Sequence, residues 1–239
     1  MGLTTLGPPE ELVRRLRDQI GAAVFVECGT YKGGTASWAA SEFDAVYSIE
    51  NSRFHHEAAK ATYGHLQNLH FLFGDTRTVL LELRNRLSQP AIFWIDSHWC
   101  GGETHGVGDE CPLIEEIAII DDSGIDRCLL IDDARLFLAP PPPPHVANEW
   151  PTIDQVIEAL KRKWPQRYIM IANDVIIATP PSVKETVIAW YRQSQEEATA
   201  LRNSRSGWRA LAHALKQIVS QGGAAFRSSA VNAFRRTKY

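Results

Sequence analysis

Apolar residues along the chain fall into two alternating patterns. Short continuous runs end in an acid and a turn, as strands buried on both faces do: Val24-Phe25-Val26 before Glu27, Val46-Tyr47-Ser48-Ile49 before Glu50, His70-Phe71-Leu72-Phe73 before Gly74-Asp75, Ala91-Ile92-Phe93-Trp94-Ile95 before Asp96, and Cys128-Leu129-Leu130-Ile131 before Asp132-Asp133. Between them apolar positions recur at helical spacing, beginning with Leu12, Val13, Leu16 and Ile20 in a leading amphipathic helix over Pro9 to Ile20. Further helices are expected over Gly33 to Ser41, Arg53 to Tyr63, Thr76 to Leu87, Pro112 to Ile120 and Thr152 to Trp164. Tyr168 to Ala172 and Val175 to Ala178 flank Asn173-Asp174, the signature of a hairpin. The alternation predicts an α/β fold, a doubly wound, mostly parallel seven-stranded sheet with an antiparallel edge hairpin.

Composition changes near the end. From Leu201 to Tyr239 there are eight basic residues and no acid, whereas the remainder carries 17 basic and 28 acidic residues. Trp208, Leu211, Leu215 and Ile218 recur at helical spacing there, so a basic C-terminal helical extension is expected, with a catalytic domain over 1–180 and the extension over 181–239. Such a helix could dock on its own domain, touch an anionic surface or form a homo-oligomer. A net charge of −3 over 239 residues gives no sign of nucleic acid as a partner. The first residues lack a signal-peptide pattern, no run reaches the roughly 20 apolar residues of a membrane span, and four cysteines are too few for a disulfide scaffold. These features point to a cytoplasmic protein with free thiols.

The chemistry is densest at Glu27-Cys28-Gly29-Thr30-Tyr31-Lys32-Gly33 and at Glu50. In a doubly wound sheet ligands sit outside the carboxyl ends of the strands, so two acids at neighbouring strand ends suggest a nucleoside-containing ligand. A dinucleotide fingerprint needs G-x-G-x-x-G to receive pyrophosphate on a helix N-terminus, and a carboxylate ahead of the first glycine would repel it. The pattern E-x-G-x-x-x-G resembles motif I of the class I S-adenosylmethionine-dependent methyltransferases. That resemblance implies that Glu27, Gly29, Thr30 and Gly33 line the methionine side of the cofactor, that Glu50 holds the ribose, that Gly74 and Asp75 meet the adenine, and that Asp96 borders the same pocket. The plain alternative makes Glu27 and Asp75 helix caps and Glu50 a solvated loop acid.

Asp96, Asp132 and Asp133 form a second set at the next two strand ends. Three converging carboxylates repel one another unless a cation neutralises them, and hard oxygen ligands suit Mg²⁺ or another divalent cation. The D-x-H and I-D-D pair is similar to the metal-dependent O-methyltransferases of catechols and of antibiotic sugars, the macrocin O-methyltransferase-like group, which implies Asp96, Asp132 and Asp133 as metal ligands. The acids could instead cap or solvate a loop. His98 could take the proton from an acceptor hydroxyl, serve as a further metal ligand, or be structural. The resemblance implies transfer of a methyl group to a hydroxyl of a small-molecule acceptor, one that could contain a sugar.

The glycine-rich stretch from Trp99 to Pro112 reads as a mobile active-site loop. His98, Cys100, His105 and Cys111 can also be read as a zinc set, which makes a zinc-dependent hydrolase the alternative enzyme; a non-catalytic binding module on the same fold is a third. Pro140 to Pro144 form a stiff run that acts as a connector or walls an acceptor pocket with His145 and Trp150.

Overall fold

The computed structural model describes residues 7–84, 86–99, 108–122, 124–125 and 127–203. The chain divides into two compact units, Met1–Trp190 and Tyr191–Tyr239. In the second, residues 191–203 are helical, and the basic segment around Trp208, Leu211, Leu215 and Ile218 lies outside the described residues. The first unit includes Val183, Val187 and Trp190, all buried. Among the described residues no helix is long and apolar enough to cross a membrane.

Seven strands form one sheet: β1 (Val24–Cys28), β2 (Ala45–Glu50), β3 (Leu69–Phe73), β4 (Ala91–Ile95), β5 (Cys128–Ile131), β6 (Tyr168–Ala172) and β7 (Val175–Thr179). Their spatial order is β3-β2-β1-β4-β5-β7-β6. β1 to β5 run parallel, and β7 pairs antiparallel with both β5 and β6. Strands β1, β4, β5 and β7 are buried at every position, and apart from Glu27 and Thr179 their residues are apolar. The hairpin turns through Asn173 and Asp174, both with positive φ (52° and 67°), the conformation that matches strand twist in a two-residue turn.

Side-chain alternation divides each strand between two faces. Val24, Val26, Phe93, Ile95 and Leu129 join a core with Leu80 and Leu83 of α4 (Thr76–Arg84), Ile117 and Ile120 of α5 (Leu113–Asp121), and Val156 and Leu160 of α7 (Ile153–Arg162). Phe25, one position out of phase, meets Trp38 of α2 (Gly34–Ala40) and Phe43 on the opposite face. The leading helix α1 (Glu10–Ile20) buries Leu12, Val13 and Leu16, and α3 (Arg53–Tyr63) packs by β2 and β3. Two differences from the expected elements stand out. The fourth helix ends at Arg84, short of Leu87, and a four-residue helix α6 (Arg135–Leu138) follows Asp133, where the proline run stops it within one turn.

The register sets the site. Cys28 is level with Ile49 and with Ile95, and Ile95 with Ile131. The ladder continues one residue beyond each strand: Gly29 N–H donates to Ile49 O at 3.0 Å, Asp96 N–H to Cys28 O at 2.8 Å, and Asp132 N–H to Ile95 O at 3.0 Å. Glycine is required at 29, because a Cβ there would stand 2.1 Å from the Asp96 carbonyl oxygen and φ is +98°.

On the α5–α7 face Arg167 enters β6 fully enclosed, its guanidinium bound to Asp121 at 2.8 and 2.9 Å and to Leu160 O at 3.1 Å. Breaking a buried pair leaves a charge without its partner. Asp121→Ala is therefore expected to cost about 3–5 kcal/mol of folding stability, read as a lower urea midpoint, with Arg167→Met in the same chain restoring part of the loss. Additive losses in the double variant would show that the pair is not the unit of stability.

Candidate active site

The sheet order reverses between β1 and β4, the switch point at which doubly wound sheets bind ligands. Gly29 and the Asp96 backbone touch there, and the acids expected at strand ends gather around them. Glu27, buried at 2% exposure, accepts the Ser48 hydroxyl, and Ser48 is also bonded to Thr30 Oγ1 at 2.6 Å. Glu50 accepts backbone N–H groups from Thr30 (3.2 Å), Tyr31 (2.8 Å) and Ser52 (2.7 Å). It thus shapes the glycine turn, and Tyr31 is held at φ +47°. Gly33 (φ +77°) caps α2 against Tyr63 and Ala59, and Gly74 (φ +146°) ends β3 over Val79.

Asp75 behaves as the alternative reading expected. It accepts the Arg77 amide at 2.9 Å at the start of α4, and the Arg77 guanidinium binds both of its oxygens at 3.0 and 2.8 Å. This ion pair holds the Asp75 carboxyl below the usual range. Arg77 also reaches Asp109 and Glu115.

Asp96, Asp132 and Asp133 stand around His98. The His98 Nε2 is 2.9 Å from Asp133 Oδ2, and Nδ1 is 3.7 Å from Asp96 Oδ1. Asp133 sits at φ +55°, and its other oxygen binds Arg135 at 2.5 Å; Arg135 in turn pairs with Asp174 of the hairpin turn. Burial opposes ionisation of Asp133, but His98 and Arg135 outweigh it and hold the carboxyl below its ordinary value. At its neighbours the balance goes the other way, the pull of His98 on Asp96 and Asp132, and of Arg135 on Asp96, being too weak to offset burial. Burial and mutual repulsion push Asp96 up to about 6, Asp132 up to about 7 and Glu27 up to about 8.

Among the described residues no three His, Cys, Asp or Glu side chains are arranged to hold a metal ion. The donor chemistry still suits a hard cation at Asp96 and Asp132, since Mg²⁺ takes one or two carboxylates and keeps water, while Asp133 is engaged elsewhere. Of the zinc set, Cys100 and His105 lie outside the described residues. Cys111 is half-buried, and burial pushes its thiol up to about 12.

Further residues around these acids, Glu110, Ser48 and Arg135 among them, were not singled out in the sequence. Glu110, assigned to the loop, is buried and accepts Trp150 Nε1 at 2.6 Å, the Val146 amide at 3.1 Å and His145 Nδ1 at 3.2 Å, pinning the far end of the proline run beside His98, whose ring meets Trp150 edge-on. Ser48 was readable as the one polar residue inside the run of β2. Arg135 carried no signal, because its partners meet it only in the fold.

No family model matches the chain, and no curated protein matches its sequence. Among solved structures it is similar to a Staphylococcus aureus protein assigned as a caffeoyl-CoA O-methyltransferase, at 13% identity over 74% of this chain and 85% of that one, with a TM-score of 0.51. It is also similar to the O-methyltransferase from Bacillus cereus solved with SAH, at 15% identity over 74% and 83%, with a TM-score of 0.47. At such identities the likeness is one of fold, the Rossmann-like seven-stranded architecture of methyltransferases.

The raised carboxyls have a sign that can be measured. Glu27 keeps its proton to about pH 8 in the folded chain but releases it near 4.5 when exposed, so the unfolded chain binds fewer protons between those values and stability falls as pH rises through them. Asp96 and Asp132 add to the fall only to about pH 6 and 7. Glu27→Gln is expected to flatten the decline specifically between pH 7 and 8 in urea titrations. An unchanged slope there would mean that Glu27 is ionised in the folded protein.

Proposed function

We propose that the protein is an S-adenosylmethionine-dependent O-methyltransferase that acts on a hydroxyl of a small-molecule acceptor, with a divalent cation assisting. The observation that carries this reading is the excess of carboxylates at the switch point. Glu27, Glu50, Asp96 and Asp132 crowd a crevice in which Arg135 and His98 are already engaged by Asp133. A ligand bearing a sulfonium and an ammonium group relieves that crowding, whereas a pyrophosphate aggravates it.

Bound there, S-adenosylmethionine supplies an electrophilic methyl group and the cation supplies Lewis acidity and a template for the acceptor oxygen. Glu27, Gly29, Thr30 and Gly33 are the residues for the methionine side, Glu50 for the ribose, and Gly74 and Asp75 for the adenine, Asp75 by way of its backbone or after release from Arg77. Asp96 and Asp132 would hold the cation, joined by Asp133 if it leaves Arg135. His98 acts as the base. It would take the proton of the acceptor hydroxyl, and Asp133, 2.9 Å from Nε2, fixes the ring and steadies the charge it gains. Trp150, held by Glu110, shields the ring from water on one side. A sugar-containing acceptor, a cytoplasmic setting, no nucleic-acid partner and self-association through the C-terminal helices complete the reading.

S-adenosylhomocysteine is expected to raise the melting temperature and NAD is not; at a hundred times its Kd a ligand of the native state contributes about 2.7 kcal/mol. Glu50→Ala should shrink the shift and Gly29→Val abolish it. No shift with either adenosyl ligand at saturating concentration overturns the cofactor.

His98→Ala is expected to lower turnover by ~10²- to 10⁴-fold with little change in S-adenosylhomocysteine affinity. Asp132→Asn should remove the response of turnover to added Mg²⁺ while the adenosyl ligand still binds. Wild-type turnover in His98→Ala moves the proton transfer to another group, and full activity after exhaustive chelation removes the cation from the mechanism.

A further inference from the structure

Helix α5 turns Leu113, Ile117 and Ile120 into the core, and Glu116 lies on that same face. Its side chain is completely buried. One carboxyl oxygen, Oε1, accepts two hydroxyls, from Thr76 and from Ser97, the latter at 2.7 Å. The other, Oε2, is buried and finds no hydrogen-bond partner among the described residues. A buried oxygen left unsatisfied costs free energy, and a leucine at this position would continue the apolar face without that cost. Thr76 directly follows Gly74-Asp75 at the end of β3, and Ser97 stands between Asp96 and His98 at the end of β4. The polar group is therefore kept where it touches the start of α4, next to Gly74-Asp75, and the loop after β4 at once.

We propose that Glu116 is a positioning residue of the cofactor pocket: by accepting Thr76 and Ser97 on a single oxygen it ties the start of α4 to the loop after β4, and so sets the distance between the adenine-side segment and the segment that carries Asp96 and His98. The inference rests on the methyltransferase reading of that crevice. It assigns to a helix packed beside α4 the relative placement of two segments whose strands are not paired, since β3 and β4 are separated by β2 and β1.

The test separates affinity from stability. Glu116→Leu, which removes the tie and fills the space, is expected to be at least as stable to urea as the wild type yet to bind S-adenosylhomocysteine about tenfold more weakly by calorimetry. Glu116→Gln, whose amide oxygen can accept both hydroxyls, should bind within about threefold of wild type. If Glu116→Leu does not fold, Thr76→Val combined with Ser97→Ala removes the same two bonds and should show the same loss. Where Glu116→Leu does fold, it should add nothing on top of that pair. Wild-type affinity in Glu116→Leu or in the paired variant, or a loss in Glu116→Gln as large as in Glu116→Leu, overturns the proposal. Amide exchange in the ligand-free protein keeps the two readings apart. Faster exchange at residues 76 and 97–99 in Glu116→Leu but not in Glu116→Gln supports the tie even if the wild type binds no adenosyl ligand, an outcome that would overturn the cofactor instead; unchanged exchange overturns the tie.

Discussion

The contact between the Gly29 backbone and the Asp96 carbonyl governs the rest of the site. At the point where the sheet reverses direction, two parallel strands must deliver their loops into one crevice without splaying, and the space for a single Cβ is missing. With that space closed, the ladder extends one residue past β1, β4 and β5, and the first residues of the loops inherit the order of the strands. The backbones of Asp96 and Asp132 are thereby fixed by ladder hydrogen bonds, whatever their carboxyls touch.

The crowding of these acids has an energetic consequence. A protein selected for stability alone would scatter these acids or pair each with a cation, as it does for Asp75 with Arg77 and for Asp121 with Arg167. At the crevice it instead leaves Glu27, Asp96 and Asp132 with raised affinities for protons. Strain of this kind concentrates where a ligand is meant to relieve it. Asp133 is the exception, since His98 and Arg135 neutralise it, and this sets it apart in environment from the two acids beside it.

Much of the fold was legible in the sequence because the features that determine it are local. The runs of β1, β4 and β5 are apolar at nearly every position because both faces are covered, Arg53–Tyr63 is helical over the expected residues, and Asn173-Asp174 announced its turn. The short helix α6 was hidden, because one turn between an aspartate and a proline run has no period to read. At the site, the gathering of acids at adjoining strand ends followed from topology. What each carboxylate touches did not, because Asp133 meets Arg135 and His98, and Glu110 meets Trp150, through loops whose paths depend on contacts distant in sequence. Glu116 was the hardest to see: within Leu-Ile-Glu-Glu-Ile either glutamate could have been the solvated one, and only packing distinguishes the exposed Glu115 from the enclosed Glu116.

The tip of the β6–β7 hairpin is the kind of surface turn into which tags, reporters or new chain ends are usually spliced without harm. Here it is a poor choice. Asp174 accepts the Arg135 amide, pairs with its guanidinium and offers its carbonyl to Ala134, so the turn braces the segment that orients Asp133 toward His98. Splicing at this tip would disturb the contact between Asp133 and His98 from the edge of the sheet. Among the described residues the connection at Gly64 to Gln67, between α3 and β3 and mostly exposed, has no link to these side chains and is the better entry point for anyone wishing to label or immobilise the molecule.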